Sequence, residues 1–147
     1  MAAAWRALPA TGRLLLTAEF NPKPEPKLLI AEVRCVPTRL VLPDWDADEL
    51  ALSIWLRSIR IRPPECRETT TFLAVVGLHA LARRFERGER RADAAVLRDL
   101  APVGRGYPAA VAAGVEFAIP AGTGRWIGAV MQASGAPVLA VRTFLDG

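Results

Sequence analysis

The sequence predicts an α+β fold: a mainly antiparallel sheet, with two N-terminal strands and a three-strand C-terminal meander, packed against about three central helices. Three observations predict it. Short extended stretches bounded by turn residues stand at both ends of the chain, helical spacing with capping residues occupies the middle, and the groups follow one another as strands, helices, strands. A chain of 147 residues, 52% hydrophobic and 23% charged, has the size and composition expected of one domain spanning 1–147.

Arg13–Phe20 (RLLLTAEF) reads as a strand ending at a turn. Pro22, Pro24 and Pro26 remove three backbone donors, so 21–27 is expected to be a stiff connection between strands. Lys27–Val36 resumes extended character, Pro37 interrupts it, and Thr38–Leu42 continues it past a bulge or edge position. A first helix is expected to start within Pro43–Leu50, capped by Asp44 or Asp46 with Asp48 and Glu49 complementing the dipole. It runs to about Ser58 and buries Leu52, Trp55 or Leu56, and Ile59. Ser58–Arg62 alternates at period two, which favours an extended exit into Pro63-Pro64.

The second predicted helix covers Thr69–Arg87. Phe72, Val75, Val76, Leu78, Leu81, Ala82 and Phe85 cover more than one face, as in a largely buried helix, and Gly88 can end it. A third, over about Arg90–Leu100, follows a short turn and forms an antiparallel pair with the second. Ala101–Gly114, rich in glycine, proline and alanine, reads as a loop with one helical turn at Pro108. The meander comprises the alternation around Val115, Phe117 and Ile119, then Arg125–Gln132, then Val138–Leu145, with turns at 120–124 and 134–137.

Most motifs in the chain have structural explanations. Gly104–Ala109 fits G-x-G-x-x-[GA] but has no strand before it and no carboxylate about 20 residues later, so it is a loop. Gly122-Thr123-Gly124 lacks the lysine of a phosphate loop. The Asp44–Glu49 carboxylates have Glu49 and Trp55 where a calcium loop needs glycine and glutamate, which leaves helix capping as their role. With His79 the only histidine and Cys35 and Cys66 the only cysteines, no multi-histidine zinc site can form, and no metal or cofactor is expected. A Cys–His pair from these residues is the enzymatic alternative, a small hydrolase or transferase.

The charge balance carries the leading expectation. Nineteen basic residues against fifteen acidic ones give a net +4, and all but Lys23 and Lys27 are arginine. Arginine forms bidentate contacts with carboxylate and phosphate. Arg83, Arg84, Arg87, Arg90 and Arg91 fall along the predicted helix pair, interleaved with acids. Arg125, Trp126 and Arg142 fall on the predicted meander, where a tryptophan beside arginines could stack on a base or anchor the core. The expected function is a non-enzymatic binding or accessory module whose arginine-rich helical surface meets an acidic partner, protein or nucleic acid. A structural homo-oligomer built by edge pairing is a further alternative. The chain shows neither an uninterrupted apolar leader nor a membrane-length apolar run, and a cytoplasmic location is expected. No motif is specific enough to name a family.

Overall fold

The computed structural model describes residues 13–22, 26–37, 50–87, 93–133 and 135–146. The aspartate caps at 44–48 with Glu49, the strand continuation at 38–42, the helix stop at Gly88, and Arg90 and Arg91 lie outside the described residues. Seven strands are described: β1 (Arg13–Asn21), β2 (Lys27–Pro37), β3 (Leu50–Arg62), β4 (Glu65–Val76), β5 (Glu116–Ala121), β6 (Gly124–Ala133) and β7 (Ala136–Asp146). Helices α1 (Leu78–Arg87) and α2 (Asp93–Ala113) follow β4 in the chain. The strands form one sheet in the order β1-β2-β3-β4-β7-β6-β5. It is mixed, because β4 and β7 run parallel, Ala74–Val76 beside Leu139–Val141.

This overturns the predicted fold class. The molecule is mostly β, with two described helices rather than three, and two further strands join the outer groups into one continuous sheet. Residues 50–58, read as helix, belong to β3. Ala51, Leu52, Ser53 and Ile54 are all buried, because a central strand is covered on both faces and needs no polar alternation. The same reason applies to Phe72–Val76. A short continuous apolar run suits a buried helix and a buried strand equally, and periodicity does not separate them. Here Leu73, Ala74, Val75 and Val76 are strand residues buried on both sides, and β-branched Thr69–Thr71 extend the strand outward. Gly77 makes the change of element. Its N–H still reaches Val141 O on β7 (3.3 Å), while its carbonyl accepts the first helical bond from Leu81 N (3.2 Å).

The predicted loop at 101–114 is a second correction, since α2 continues through Pro102 and Pro108 to Ala113. An interior proline costs a helix about 3 kcal/mol. Burial offsets this: Leu100 and Val103 are fully buried against the sheet and Ala110 nearly so. Glycine serves close approach here, since a Cβ on Gly106 would stand 3.1 Å from the Ile119 side chain on β5. Tyr107 donates to Pro137 O (2.8 Å), tying α2 to the start of β7. Gly114, at φ +89°, ends the helix, with its N–H on Ala110 O (3.1 Å).

The three C-terminal strands occupy the stretches that alternation and turn residues indicate, with Phe117, Ile119 and Ala121 buried and Glu116, Ala118 and Pro120 exposed. Both helices pack on one face of the sheet. There α1 lies on β7, and α2 lies mainly on β5 and reaches across to β1. Leu81, Leu100, Val103, Trp126, Leu139 and Phe144 form the centre of the core between them. On the reverse face Ala51, Val75 and Ala140 are also fully buried. No helix among the described residues is long and apolar enough to cross a membrane.

One limb of the sheet extends past this core. Among the described residues, β4 is joined to β7 only through its last three residues. Glu65–Thr71 are exposed along their length, as are Arg60–Arg62 beside them. The Pro63-Pro64 turn closes the β3–β4 hairpin and pairs Arg62 with Glu65.

Candidate binding face

The structure disperses the arginines that the sequence grouped on a helix pair. Arg84 is fully buried and donates from Nε (3.0 Å) and Nη2 (2.8 Å) to Asp99 Oδ2 on α2. Trp126 is also fully buried. It meets Phe144 edge-on at 4.8 Å, and its indole N–H donates to Asp99 O (2.7 Å), so it is a core anchor and not a stacking platform. Arg83 is half-exposed and paired with Glu86 one turn on (3.0 Å). Arg125 is exposed on β6, and Arg142, exposed on β7, reaches Met131 Sδ (3.7 Å). Arg87 ends α1, while Arg90 and Arg91 fall outside the described residues. Arg84 and Trp126 present nothing to a partner, and no continuous helical patch is seen among the described residues.

On the reverse face the charges are consumed internally. Glu32 on β2 is buried, and its carboxylate takes Arg34 Nη2 (3.1 Å) and Arg57 Nη2 (2.7 Å). Arg57 Nε also lies 2.8 Å from Glu68 Oε1 on β4, without the alignment of a hydrogen bond. Arg34 lies over the Trp55 ring (4.6 Å), Trp55 stacks on Phe72 (4.7 Å), and Trp55 Nε1 donates to Ser53 Oγ (2.7 Å). Arg34 pairs with Glu32 within β2, while Arg57 reaches Glu32 on β2 and Glu68 on β4, so the network clasps the three strands together.

The helix-side face of the limb is different. Lys27 on β2 stands opposite Arg60 on β3, and Arg60 opposite Arg67 on β4. Directly opposite residues point to the same side, and neighbouring strands are about 4.8 Å apart. Three cations thus form a row across three strands. Like charges directly opposite are destabilising. Among the described residues neither Lys27 nor Arg60 has an ion-pair partner, and Arg67 has only Glu65 at 3.8 Å between two exposed side chains. The row ends on β4, whose edge along Glu65–Thr71 has no strand neighbour among the described residues.

Beside the row, where the limb meets α2, lies a cleft of about 180 Å³. Its floor is Leu29, Ala31, Ile54, Leu56 and Leu73, and Ala101 and Gly104 of α2 form its roof. Glu19 stands on the β1 lip and Arg105 on the α2 lip, both exposed.

Cys66 and His79 do not converge. Cys66 lies at the exposed start of β4 and His79 just past its end, and the ten residues of strand between Cys66 and Val76 span roughly 33 Å. Cys35 is buried, and that burial pushes its thiol pKa up, away from the reactive thiolate. No group of three or more His, Cys, Asp or Glu among the described residues could hold a metal ion.

Lys27, Arg60 and Arg67 are not among the binding candidates that the sequence singles out. The signal available was the alternation of Ile59-Arg60-Ile61-Arg62 followed by Pro63-Pro64. A two-residue turn there sets Arg62 opposite Glu65, and hence Arg60 opposite Arg67. No family model, curated protein or solved structure matches this chain.

Proposed function

We propose that the chain is a non-enzymatic binding module that takes up an acidic, extended segment of a partner protein along the open edge of β4. The observation that carries this reading is the cation row Lys27–Arg60–Arg67, met among the described residues only by the exposed Glu65 at 3.8 Å from Arg67, leading to a strand edge with no neighbour among the described residues. A segment paired with Glu65–Thr71 gains main-chain hydrogen bonds, and a carboxylate placed opposite Arg67 ends the row with the charge it lacks. Glu68, on the other face, is already drawn to Arg57 and does not oppose it. The partner expected here is acidic, as the arginine content indicates, but the surface lies on the sheet instead of the helix pair.

The test is fluorescence anisotropy with a labelled peptide of alternating glutamate and valine, titrated across a salt series. The expected result is saturable binding that weakens with salt and falls at least tenfold in Arg60→Glu and in Arg67→Glu. A peptide of the same charge with proline at alternate positions, which lacks the strand donors, is expected not to bind. Equal binding of the proline peptide would remove strand addition. Tighter binding of single-stranded nucleic acid than of the peptide would replace the protein partner by a phosphate chain. Self-association abolished by the same edge variants would assign the edge to a second copy.

A further inference from the structure

We infer that the cleft beneath α2 is a separate binding site for a small carboxylate carrying an apolar tail of roughly six carbons. Size, lining and charge each contribute. At about 180 Å³ the cleft is comparable to a cavity of ~150 Å³ that holds one benzene ring, six carbons. Its floor and roof are apolar and come from β2, β3, β4 and α2, so a tail displaces water from a surface that offers few hydrogen bonds. The roof is open at Gly104, where a Cβ would meet only the Ile54 side chain at 3.8 Å.

The charges at the mouth select the head group. Arg105, on the α2 lip, has no ion-pair partner among the described residues. With Lys27, Arg60 and Arg67 farther out on the limb, it gives this face four cations against Glu19 and Glu65. An anionic head is therefore favoured over a cationic one. Glu19, on the opposite lip, repels the head from the β1 side and directs it to Arg105, whose guanidinium can donate to both carboxylate oxygens from its fork. The site needs neither the open edge of β4 nor a macromolecular partner, so it stands or falls independently of them.

The experiment is calorimetric titration of the full chain with straight-chain carboxylates from acetate to decanoate, with octanol and octylammonium as charge controls. Affinity is expected to rise about fourfold per added methylene until the cleft is full, then level off. Octanoate is expected to bind more tightly than octanol, and octanol more tightly than octylammonium. Arg105→Gln should weaken octanoate at least fivefold without affecting octanol, and Glu19→Gln should tighten it. Gly104→Leu fills the roof at a position where alanine and leucine are better helix formers than glycine, so binding should disappear from a protein that melts no lower than the parent. Absence of saturable octanoate binding at millimolar concentration would overturn the inference. So would a preference for octylammonium, or undiminished binding by Gly104→Leu. Loss of octanoate binding in Gly104→Leu, with binding of the acidic peptide intact, would separate this site from the β4 edge.

Discussion

Arg84 on α1 grips a single oxygen of Asp99 on α2 with two of its nitrogens, and both residues are buried. The main-chain carbonyl of the same aspartate accepts the Trp126 indole N–H from β6. One residue therefore joins both helices to the sheet, with its side chain turned to α1 and its backbone to β6. A side-chain change at Asp99 cuts the first link and leaves the second.

Breaking this pair from one side leaves an uncompensated buried charge. Arg84→Met or Asp99→Leu alone is expected to lower the unfolding free energy by about 3–5 kcal/mol, and the two together by much less than the sum. Urea denaturation of the two single variants and the double variant measures this. Additive losses would show that the pair is not an energetic unit.

The Glu32 network and the Arg83–Glu86 pair differ in exposure, and their worth should differ accordingly. Glu32→Gln removes the charge from a buried carboxylate that serves Arg34 and Arg57, and is expected to cost about 1.5–3 kcal/mol. Glu86→Gln, on the surface of α1, is expected to cost less than about 1 kcal/mol. Equal midpoints in a urea titration would contradict this ordering.

Gly128 and Gly114 are required for different reasons. A methyl at Gly128 would collide with Ala140 O and stand 2.6 Å from the Phe117 ring, inside a packed sheet. Gly128→Ala is expected to cost about 1–3 kcal/mol or more through overpacking. At Gly114 nothing lies within 4 Å of the added carbon, and only the positive φ resists substitution, so Gly114→Ala should cost about 1–2 kcal/mol. Thermal melts rank the two. A Gly128→Ala protein as stable as the parent would show that β6 and β7 can separate.

The two cysteines are expected to label at very different rates. Cys66 is exposed and should react with a maleimide in the folded protein, whereas buried Cys35 should react only after denaturation. Because burial raises the Cys35 thiol pKa, the unfolded chain ionises first as pH rises past the ordinary cysteine value. The unfolded state then binds fewer protons than the folded one, so this residue's contribution to stability diminishes as pH rises through that range. Cys35→Ala should flatten that part of the pH–stability curve, and an unchanged slope would assign the effect to other groups.

Sequence alone located the outer strands β1, β2, β5, β6 and β7, because each is bounded by proline, glycine or serine turns. It read α1 only as the second half of a helix over Thr69–Arg87, whose first half, Thr69–Val76, is strand β4. Tertiary structure decided β3 and β4. Leu50–Ile54, apolar but for Ser53, and Phe72–Val76 have no readable period, and only pairing with neighbouring strands fixes the extended form. It likewise decided α2, where contact with β5 holds a helix through two prolines that local preference would turn into a loop. The candidate site divides in the same way. Arginine content was legible in the composition, but which arginines are buried, paired or aligned depends on strand register. Arg84 became internal because Asp99 was brought to it, while Lys27, Arg60 and Arg67, up to forty residues apart in the chain, were set side by side by the pairing of β2, β3 and β4.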